Sequence, residues 1–297
     1  GSSTAKVGEA LAAAGVVPNV NMFRLRARLA KADGTLKAGV YDLKTGMPYE
    51  IAIEALQAGP TIKYVTFVVP EGFTVDQIAA RAEKTLGIPQ EEFLKLAKGQ
   101  AATFAPGHPY LKDAYQGSLE GYLFPKTYRV KEGSKAQDVI EMMLTQFDKE
   151  IAQVDLSAAE ARGMTLPQLV TLASMIEKEA KVAEERPVVS SVIYNRLRKN
   201  MRLEIDATIQ YVLLRQHFRL SYGQTKIDSP YNTYRHKGLP PGPISNPGLA
   251  SLDAAAHPAK TGYLYYVLTG KDGSHTFATN LQDFLAAKRK SKEVFGK

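Results

Sequence analysis

The residue best suited to chemistry is a glutamate, Glu177, near the end of a helix predicted to begin at Thr165. Apolar residues recur there at spacings of three and four, which predicts one buried face made of Leu169, Leu172, Ala173, Ile176 and Ala180. At about 100° per residue, Glu177 projects within roughly 40° of that face, whereas Glu179 lies about 200° further round, on the outside. Because apolar surroundings disfavour an ionised carboxyl, Glu177 is a candidate proton donor near neutral pH.

Periodicity leaves a second interpretation of Glu177 open. The residue four positions later is Lys181, and a glutamate at the edge of a helix can form an ion pair with a lysine at that spacing. In that case the carboxylate is structural and has no part in catalysis.

A polar and aromatic segment could bind a saccharide. Tyr231, Asn232 and Tyr234 lie within six residues, and a proline-rich segment then leads to Asn246. Tyrosine rings stack on sugar rings, and asparagine amides can both donate to and accept from hydroxyl and N-acetyl groups. The same residues could equally serve as loop anchors.

A third group combines an aromatic-polar pair with two carboxylates. Tyr194 and Asn195 precede Arg196, and Glu204 and Asp206 follow close to the start of a predicted helix. The sequence alone favours Asp206 as a helix cap.

Composition and motif searches exclude several classes of chemistry. The chain has 297 residues, a net charge of +8 and no cysteine, so disulfides, cysteine-ligated metals and thiol nucleophiles are absent. Its five histidines are scattered without metal-ligand spacing, and the common nucleotide-binding, serine-hydrolase and zinc-protease motifs are missing. We therefore expect no metal and no cofactor. Basic residues are not interleaved with the tyrosines, so we also expect no nucleic-acid partner.

The elements predicted along the chain give an α+β fold. Strands are predicted at 37–43, 61–69, 121–130 and 263–268, and the proline-rich segment 239–248 is predicted to be a rigid loop. Helices are predicted at 48–56, 75–86 and 89–97, then after the capping boxes at Ser134, Ser157 and Thr165, from Pro187, from Asp206 and at the C-terminus. The helix after Thr165 is predicted to run to about residue 185. Segment 99–121 reads as a loop containing a domain boundary.

Several motifs then resemble, in order, the YceG-like family of endolytic murein transglycosylases. The resemblance covers nearly the whole chain after about Asn21, and it is carried by segments 119–125, 173–179, 194–197, 229–234 and 238–248. It departs from the family pattern at Lys126, Ala207 and Phe284. Segment 61–118, with a closing strand near 121–130, also resembles a LysM-type peptidoglycan-binding unit in its element order and its Pro-Glu-Gly-x-Thr turn. The resulting division is an N-terminal segment 1–60, a LysM-like subdomain 61–118 and a catalytic domain 119–297.

This resemblance implies a lytic mechanism with one catalytic carboxyl, Glu177. The glutamate would protonate the glycosidic oxygen and then accept the proton of the muramic acid 6-hydroxyl, giving a 1,6-anhydro end. Tyr231, Asn232, Tyr234 and Asn246 would hold the saccharide, with Tyr194 and Asn195 nearby and Glu204 and Asp206 as supporting carboxylates. Two alternatives remain: a lysozyme-type muramidase that uses Glu204 or Asp206 as second carboxylate, and a non-catalytic peptidoglycan-binding module.

The resemblance also implies a location and partners. It implies a single-pass protein of the bacterial inner membrane with its catalytic part on the periplasmic or extracytoplasmic side. The partners would be peptidoglycan glycan strands and peptidoglycan synthases. The chain starts Gly1-Ser2-Ser3 without Met and has no apolar run of about 18 residues. We therefore expect a membrane anchor upstream of this sequence.

Overall fold

In the N-terminal unit, residues 1–64, the described part from residue 3 onward contains three short helices. The computed structural model describes residues 3–214 and 220–296. Within this unit α1 spans Thr4–Ala13, α2 spans Val20–Leu29 and α3 spans Tyr49–Ala58. Their apolar faces enclose a small core around Phe23, Ile53 and Leu56. The sequence analysis predicted only α3.

The strand predicted at 37–43 is wrong. This segment has no regular structure, and it packs along α3 instead, where the Lys37 N–H donates to the Leu56 carbonyl at 2.9 Å and the Tyr41 hydroxyl donates to the same carbonyl at 3.2 Å. An extended segment without a partner strand cannot form a stable sheet.

The second unit, residues 65–297, begins with two strands that flank two helices. Strand β1 spans Tyr64–Val68 and pairs with β2, Thr127–Lys131, and between them lie α4, Val75–Leu86, and α5, Gln90–Ala97. The predicted helix at 75–86 is confirmed, and it is bounded by a capping box of Thr74 and Gln77 and by Gly87, which ends it in the left-handed conformation. Three short 3-10 turns occupy the predicted loop 99–121.

Seven further α-helices and a hairpin follow within the described residues of this unit. In chain order they are α6, Ala136–Ile151; α7, Ser157–Glu160; α8, Leu166–Glu179; α9, Arg186–Arg198; α10, Asp206–Leu213; α11, Leu249–Ala256; β3, Tyr265–Leu268; β4, His275–Ala278; and α12, Leu281–Phe295. β3 and β4 pair antiparallel, with Tyr265 opposite Ala278. The sequence analysis did not predict α11 or β4.

Two predicted capping boxes differ from the structure. Helix α6 begins after Lys135, whose backbone N–H donates to Asp138 Oδ2 at 2.9 Å, so its start lies one residue later than the predicted box of Ser134 and Gln137. Ser157 is the first residue of α7, and the side chain of Asp155 accepts its N–H at 3.0 Å.

One hydrophobic core extends through the second unit from Phe67 to Ala256. Residues from both sides of the predicted boundary at 118, such as Ile78 and Leu172, contribute to it. The α+β class is thus observed, with segment 61–118 and the helices after it built on a shared core. No helix within the described residues is both long enough and apolar enough to cross a bilayer.

Candidate active site

Helix α8 carries both Glu177 and Glu179, and Glu179 is its last residue. Thr165 and Gln168 form the predicted capping box, and the residues from Leu169 to Ile176 are buried. The helix ends at Glu179, because Ala180 has extended backbone angles, φ -92° and ψ 104°. The prediction that the helix continues to about residue 185 is therefore wrong. Helical periodicity says nothing about the direction of the side chains after Glu179.

Glu179 lines a cavity of about 530 Å³. The prediction that its side chain lies on the outside is wrong. Strands β3 and β4 and helix α12 cover this end of α8, and the cavity lies between them and α10. Its lining residues include Glu179, Arg196, Glu204, Asp206, Tyr234, Tyr266, His275, Phe284, Lys288 and Lys292.

The environment of the Glu179 carboxyl favours its protonated form. Burial raises its pKa to about 7, and the negative charge of Asp206 acts in the same direction. The Tyr266 hydroxyl donates to Glu179 Oε2 at 3.0 Å and, with the backbone N–H of Ala207, partly opposes that rise. The result is a hydrogen-bonded carboxyl that can hold or release a proton near neutral pH.

The segment 229–234 is fastened to the start of α10, next to Glu179. The Thr233 hydroxyl accepts the Ile205 N–H at 3.0 Å and lies 3.0 Å from the Thr208 hydroxyl. The Tyr234 hydroxyl donates a short hydrogen bond to Asp206 Oδ1. Burial and this carboxylate raise the pKa of Tyr234 well above its usual value. Tyr234 and Asp206, both predicted as site residues, therefore meet in the cavity.

Arg196 and Glu204 form another side of the cavity. Arg196 is nearly buried, and its guanidinium donates to the carbonyls of Leu264 at 2.6 Å and Leu203 at 2.7 Å. One of its nitrogens lies 3.5 Å from Glu204 Oε2. Glu204 adopts a left-handed backbone conformation with φ of 53°, which is unusual for a residue with a side chain. The predicted residue Glu204 thus lines the same cavity as Glu179.

Glu177 lies outside this cavity. Its Oε2 accepts the Gly248 N–H at 3.0 Å, at the end of the proline-rich loop and the start of α11. Gly72 packs against its side chain, and the Glu71 carboxyl occupies the space that a Cβ on residue 248 would need. Burial and the charge of Glu177 raise the pKa of Glu71. No ion pair joins Glu177 to Lys181, two residues that both belong to the described part of the chain.

Asn246 is fully buried and its side chain is fully engaged by the protein. Its Oδ1 accepts the N–H groups of Gly121 at 3.0 Å and Leu123 at 2.9 Å. Its Nδ2 donates at 2.9 Å to the Phe73 carbonyl and at 2.9 Å to Glu120 Oε1. These bonds hold the proline-rich loop to the first part of the second unit.

Glu120, which Asn246 contacts, is a second buried carboxyl. It is 2% exposed, and both of its oxygens accept the Val75 N–H, at 3.1 and 3.2 Å. Burial raises its pKa to about 8, although the hydrogen bonds from Val75 and Tyr211 act against that rise. It lies inside the protein and does not line the cavity of Glu179.

Asn232 and Tyr231 shape the loop beside the cavity and do not line it. Asn232 is fully buried, and its amide donates to the carbonyls of Thr225 at 3.1 Å and Ile227 at 2.7 Å and accepts the Tyr234 N–H at 2.9 Å. The Tyr231 ring packs 5.1 Å from that of Tyr211, measured between centroids. Both residues therefore fix the path of the segment that carries Tyr234.

Tyr194 and Asn195 lie on a different face of α9. The Asn195 amide donates at 2.9 Å to the carbonyls of both Thr261 and Tyr263, and the Tyr194 hydroxyl donates to the Ala255 carbonyl at 2.9 Å. They line a separate cavity with Arg162. Asn195 thus orients the segment that leads into β3.

The sequence analysis missed Tyr266, His275 and Glu185 as neighbours of the site. His275 lines the cavity of Glu179, and the Glu185 carboxylate accepts its N–H at 2.9 Å and contacts its Nδ1 at 2.7 Å. The one available signal in the sequence was the predicted strand at 263–268, which contains Tyr266. Within the described residues no group of three or more acidic or histidine side chains is arranged to hold a metal ion.

Comparisons with known proteins identify similar chains over almost the full length. The YceG-like family matches residues 1–290. A Bacillus subtilis protein named endolytic murein transglycosylase is 34% identical over 98% of this chain and 82% of its own length. A Streptococcus pneumoniae protein of the same name is 32% identical over 95% of this chain, which spans only 55% of that relative. A crystal structure of a YceG-like protein from Listeria monocytogenes has a TM-score of 0.69 and 34% identity, covering 96% of both chains.

Proposed function

This chain belongs to the YceG-like family, and on that premise we propose that it is an endolytic murein transglycosylase acting on peptidoglycan glycan strands. The names of the Bacillus and Streptococcus relatives support the reaction and its substrate. The observation that carries the proposal is Glu179, a carboxyl with a pKa of about 7 in a cavity lined by tyrosines and further carboxylates.

The geometry favours Glu179, in place of the predicted Glu177, as the catalytic residue. A general acid works best when its pKa lies near the pH at which it operates and when substrate can reach it. Glu179 meets both conditions, whereas Glu177 lies outside the cavity and is held by the backbone of Gly248. The role of Glu177 in this proposal is to fasten α11 to α8.

The proposed reaction uses Glu179 twice. As the acid it transfers its proton to the glycosidic oxygen between MurNAc and GlcNAc, and the C1–O bond of MurNAc breaks. As the carboxylate it then accepts the proton of the MurNAc 6-hydroxyl while that oxygen bonds to C1, which leaves a 1,6-anhydro end. The Tyr266 hydroxyl stabilises the carboxylate between the two steps.

The remaining cavity residues would bind the sugar and stabilise positive charge at C1. Tyr234 offers a ring and a hydroxyl held by Asp206, and Asp206 and Glu204 supply negative charge beside Glu179. Asn232, Asn246, Asn195, Tyr194 and Tyr231 act in this proposal by holding the loops that present Tyr234 and β3.

A hydrolytic muramidase is the second candidate, because Asp206 and Glu204 line the same cavity as Glu179. One of them could activate a water that replaces the 6-hydroxyl as nucleophile. The same set of carboxylates therefore permits both outcomes, and the product decides between them.

The proposed location follows from the substrate. Peptidoglycan lies outside the cytoplasmic membrane, so we place this chain on the extracytoplasmic side of that membrane. The LysM-like segment 61–118 is proposed to bind glycan, and peptidoglycan synthases are proposed as partners, since cutting and extending glycan strands concern the same substrate.

Mass spectrometry of the product ends tests this function. Purified sacculi are digested with the wild-type chain, and the new ends are compared with those made by a lysozyme-type muramidase. The proposal predicts 1,6-anhydro ends, which are lighter by one water than the reducing ends of hydrolysis. Reducing ends would establish the muramidase alternative, and an absence of new ends would leave only a binding module.

A further inference from the structure

We propose that helix α12 forms a subsite for the free carboxylates of the peptide stems attached to the glycan. This inference rests on the proposed function and concerns the specificity of the same site. The subsite consists of the ammonium groups of Lys288 and Lys292.

One face of α12 lines the cavity of Glu179. The lining residues recur at spacings of three and four and are Phe284, Lys288, Ser291, Lys292 and Phe295. Positions so spaced lie on the same side of a helix. The two lysines are therefore directed to the cavity by the helix itself, because residues on the same face, such as Ala287 and Ser291, are buried against the protein.

The lysines of the cavity lie on α12, whereas its carboxyls lie on the opposite side together with Arg196. Each carboxyl on the side of α8 and α10 already contacts a protein group: Glu179 with Tyr266, Asp206 with Tyr234, and Glu204 with Arg196.

The lysines of α12 differ in this respect. Within residues 3–214 and 220–296, Lys288 and Lys292 form no ion pair with a carboxylate, and Lys288 Nζ lies 5.9 Å from the centroid of the Phe284 ring. Both lysines are exposed at the cavity. Two ammonium groups at four-residue spacing thus offer positive charge to a ligand that bears negative charge.

Peptide stems fit this arrangement by their chemistry. A glycan strand carries its stems on the lactyl groups of MurNAc, and those stems bear free carboxylates while the sugars between them are uncharged. When the scissile bond lies at Glu179, the adjacent stem must leave the cavity past one of its sides. The side formed by α12 attracts carboxylates, whereas the side formed by Glu204 and Asp206 repels them.

The experiment compares two variants on two substrates. Lys288→Gln/Lys292→Gln removes both charges and keeps good helix formers, and Lys290→Gln, on the same helix but outside the cavity lining, is the matched control. The substrates are native glycan strands and the same strands with their stem carboxylates converted to amides.

We expect the double variant to raise KM on native strands about fivefold, the size expected for losing two exposed charge pairs. Its kcat and its activity on amidated strands should equal those of the wild type. The control variant Lys290→Gln should have the wild-type KM and kcat on both substrates. An equal effect on both substrates, or none on native strands, would overturn the subsite. If the wild type cleaves neither substrate, the proposed function fails. Calorimetric binding of the two strands then tests the subsite separately, with weaker binding by the double variant expected for native strands alone.

Discussion

The Tyr266 hydroxyl donates to Glu179 Oε2 across 3.0 Å, which links the first strand of the C-terminal hairpin to the last residue of α8. The two residues are 87 positions apart in the chain. Because this hydrogen bond favours the ionised carboxyl while burial favours the protonated one, the pair keeps the glutamate close to the balance that acid–base catalysis requires.

The rate should depend on pH through Glu179. Its pKa of about 7 means that the required protonated form is lost above neutral pH. We expect kcat/KM on glycan strands to fall about tenfold per pH unit on the alkaline side. Initial rates between pH 5 and 9 check this, and a constant rate up to pH 9 would contradict it.

Tyr266→Phe should move that alkaline limb to higher pH. The substitution removes a hydrogen bond to the carboxylate, and such bonds lower the pKa of a carboxyl. We also expect a lower kcat, because the carboxylate formed after proton transfer loses a donor. The measurement is the pH profile of this variant beside that of Tyr265→Phe. Tyr265 is the matched control because it precedes Tyr266 in the chain and does not line the cavity. An unshifted limb in Tyr266→Phe would show that the hydroxyl does not act on Glu179.

Glu120 should make the protein less stable as the pH rises. Its pKa is about 8 in the folded chain against 4.5 as the ordinary value. Between those values the carboxyl ionises in the unfolded chain only, and this ionisation stabilises the unfolded chain relative to the folded one. Its contribution is therefore fully present below pH 4.5 and is lost as the pH rises through 8.

Glu120→Gln tests that sign. The variant cannot ionise at this position, so its free energy of unfolding should fall less between pH 5 and 9 than that of the wild type. The difference between the two falls should be at most about 4 kcal/mol, because a pKa shift of one unit corresponds to about 1.4 kcal/mol. Urea unfolding at both pH values provides the comparison. Parallel losses in the two proteins would mean that Glu120 ionises normally in the folded state.

Asn246→Ala should destabilise the protein by about 3 kcal/mol, since it leaves the buried N–H groups of Gly121 and Leu123 without their acceptor and removes one hydrogen bond to Glu120. Thermal unfolding and activity should be measured on the same preparation. A variant with unchanged stability but no glycan binding would instead support the role in substrate binding that the sequence suggested.

The sequence predicts most of the local structure for physical reasons that the structure makes clear. The cap at Thr165 and the apolar faces of α4 and α8 are short-range patterns, so α4 forms as predicted and α8 begins where it was predicted to begin. Whether segment 37–43 forms a strand, and whether α11 forms a helix, depends on tertiary partners. A local sequence pattern contains no information about those partners.

The choice between Glu177 and Glu179 depends on the same distinction. The helical wheel placed Glu177 near the apolar face, and it is in fact half-buried against Gly72 and Gly248. What the wheel could not contain is the hairpin β3–β4, which arrives almost 90 residues later and encloses Glu179. The cavity residues Asp206, Glu204 and Tyr234 were predicted because each belongs to a motif.

Turnover of purified sacculi by Glu179→Gln and Glu177→Gln, measured side by side, tests the central claim most directly. Each variant is nearly isosteric, and circular dichroism and melting temperature establish that both fold. The account predicts that Glu179→Gln loses turnover by orders of magnitude while still binding glycan, and that Glu177→Gln retains most of it. Loss of turnover in Glu177→Gln together with near-normal turnover in Glu179→Gln would contradict the account.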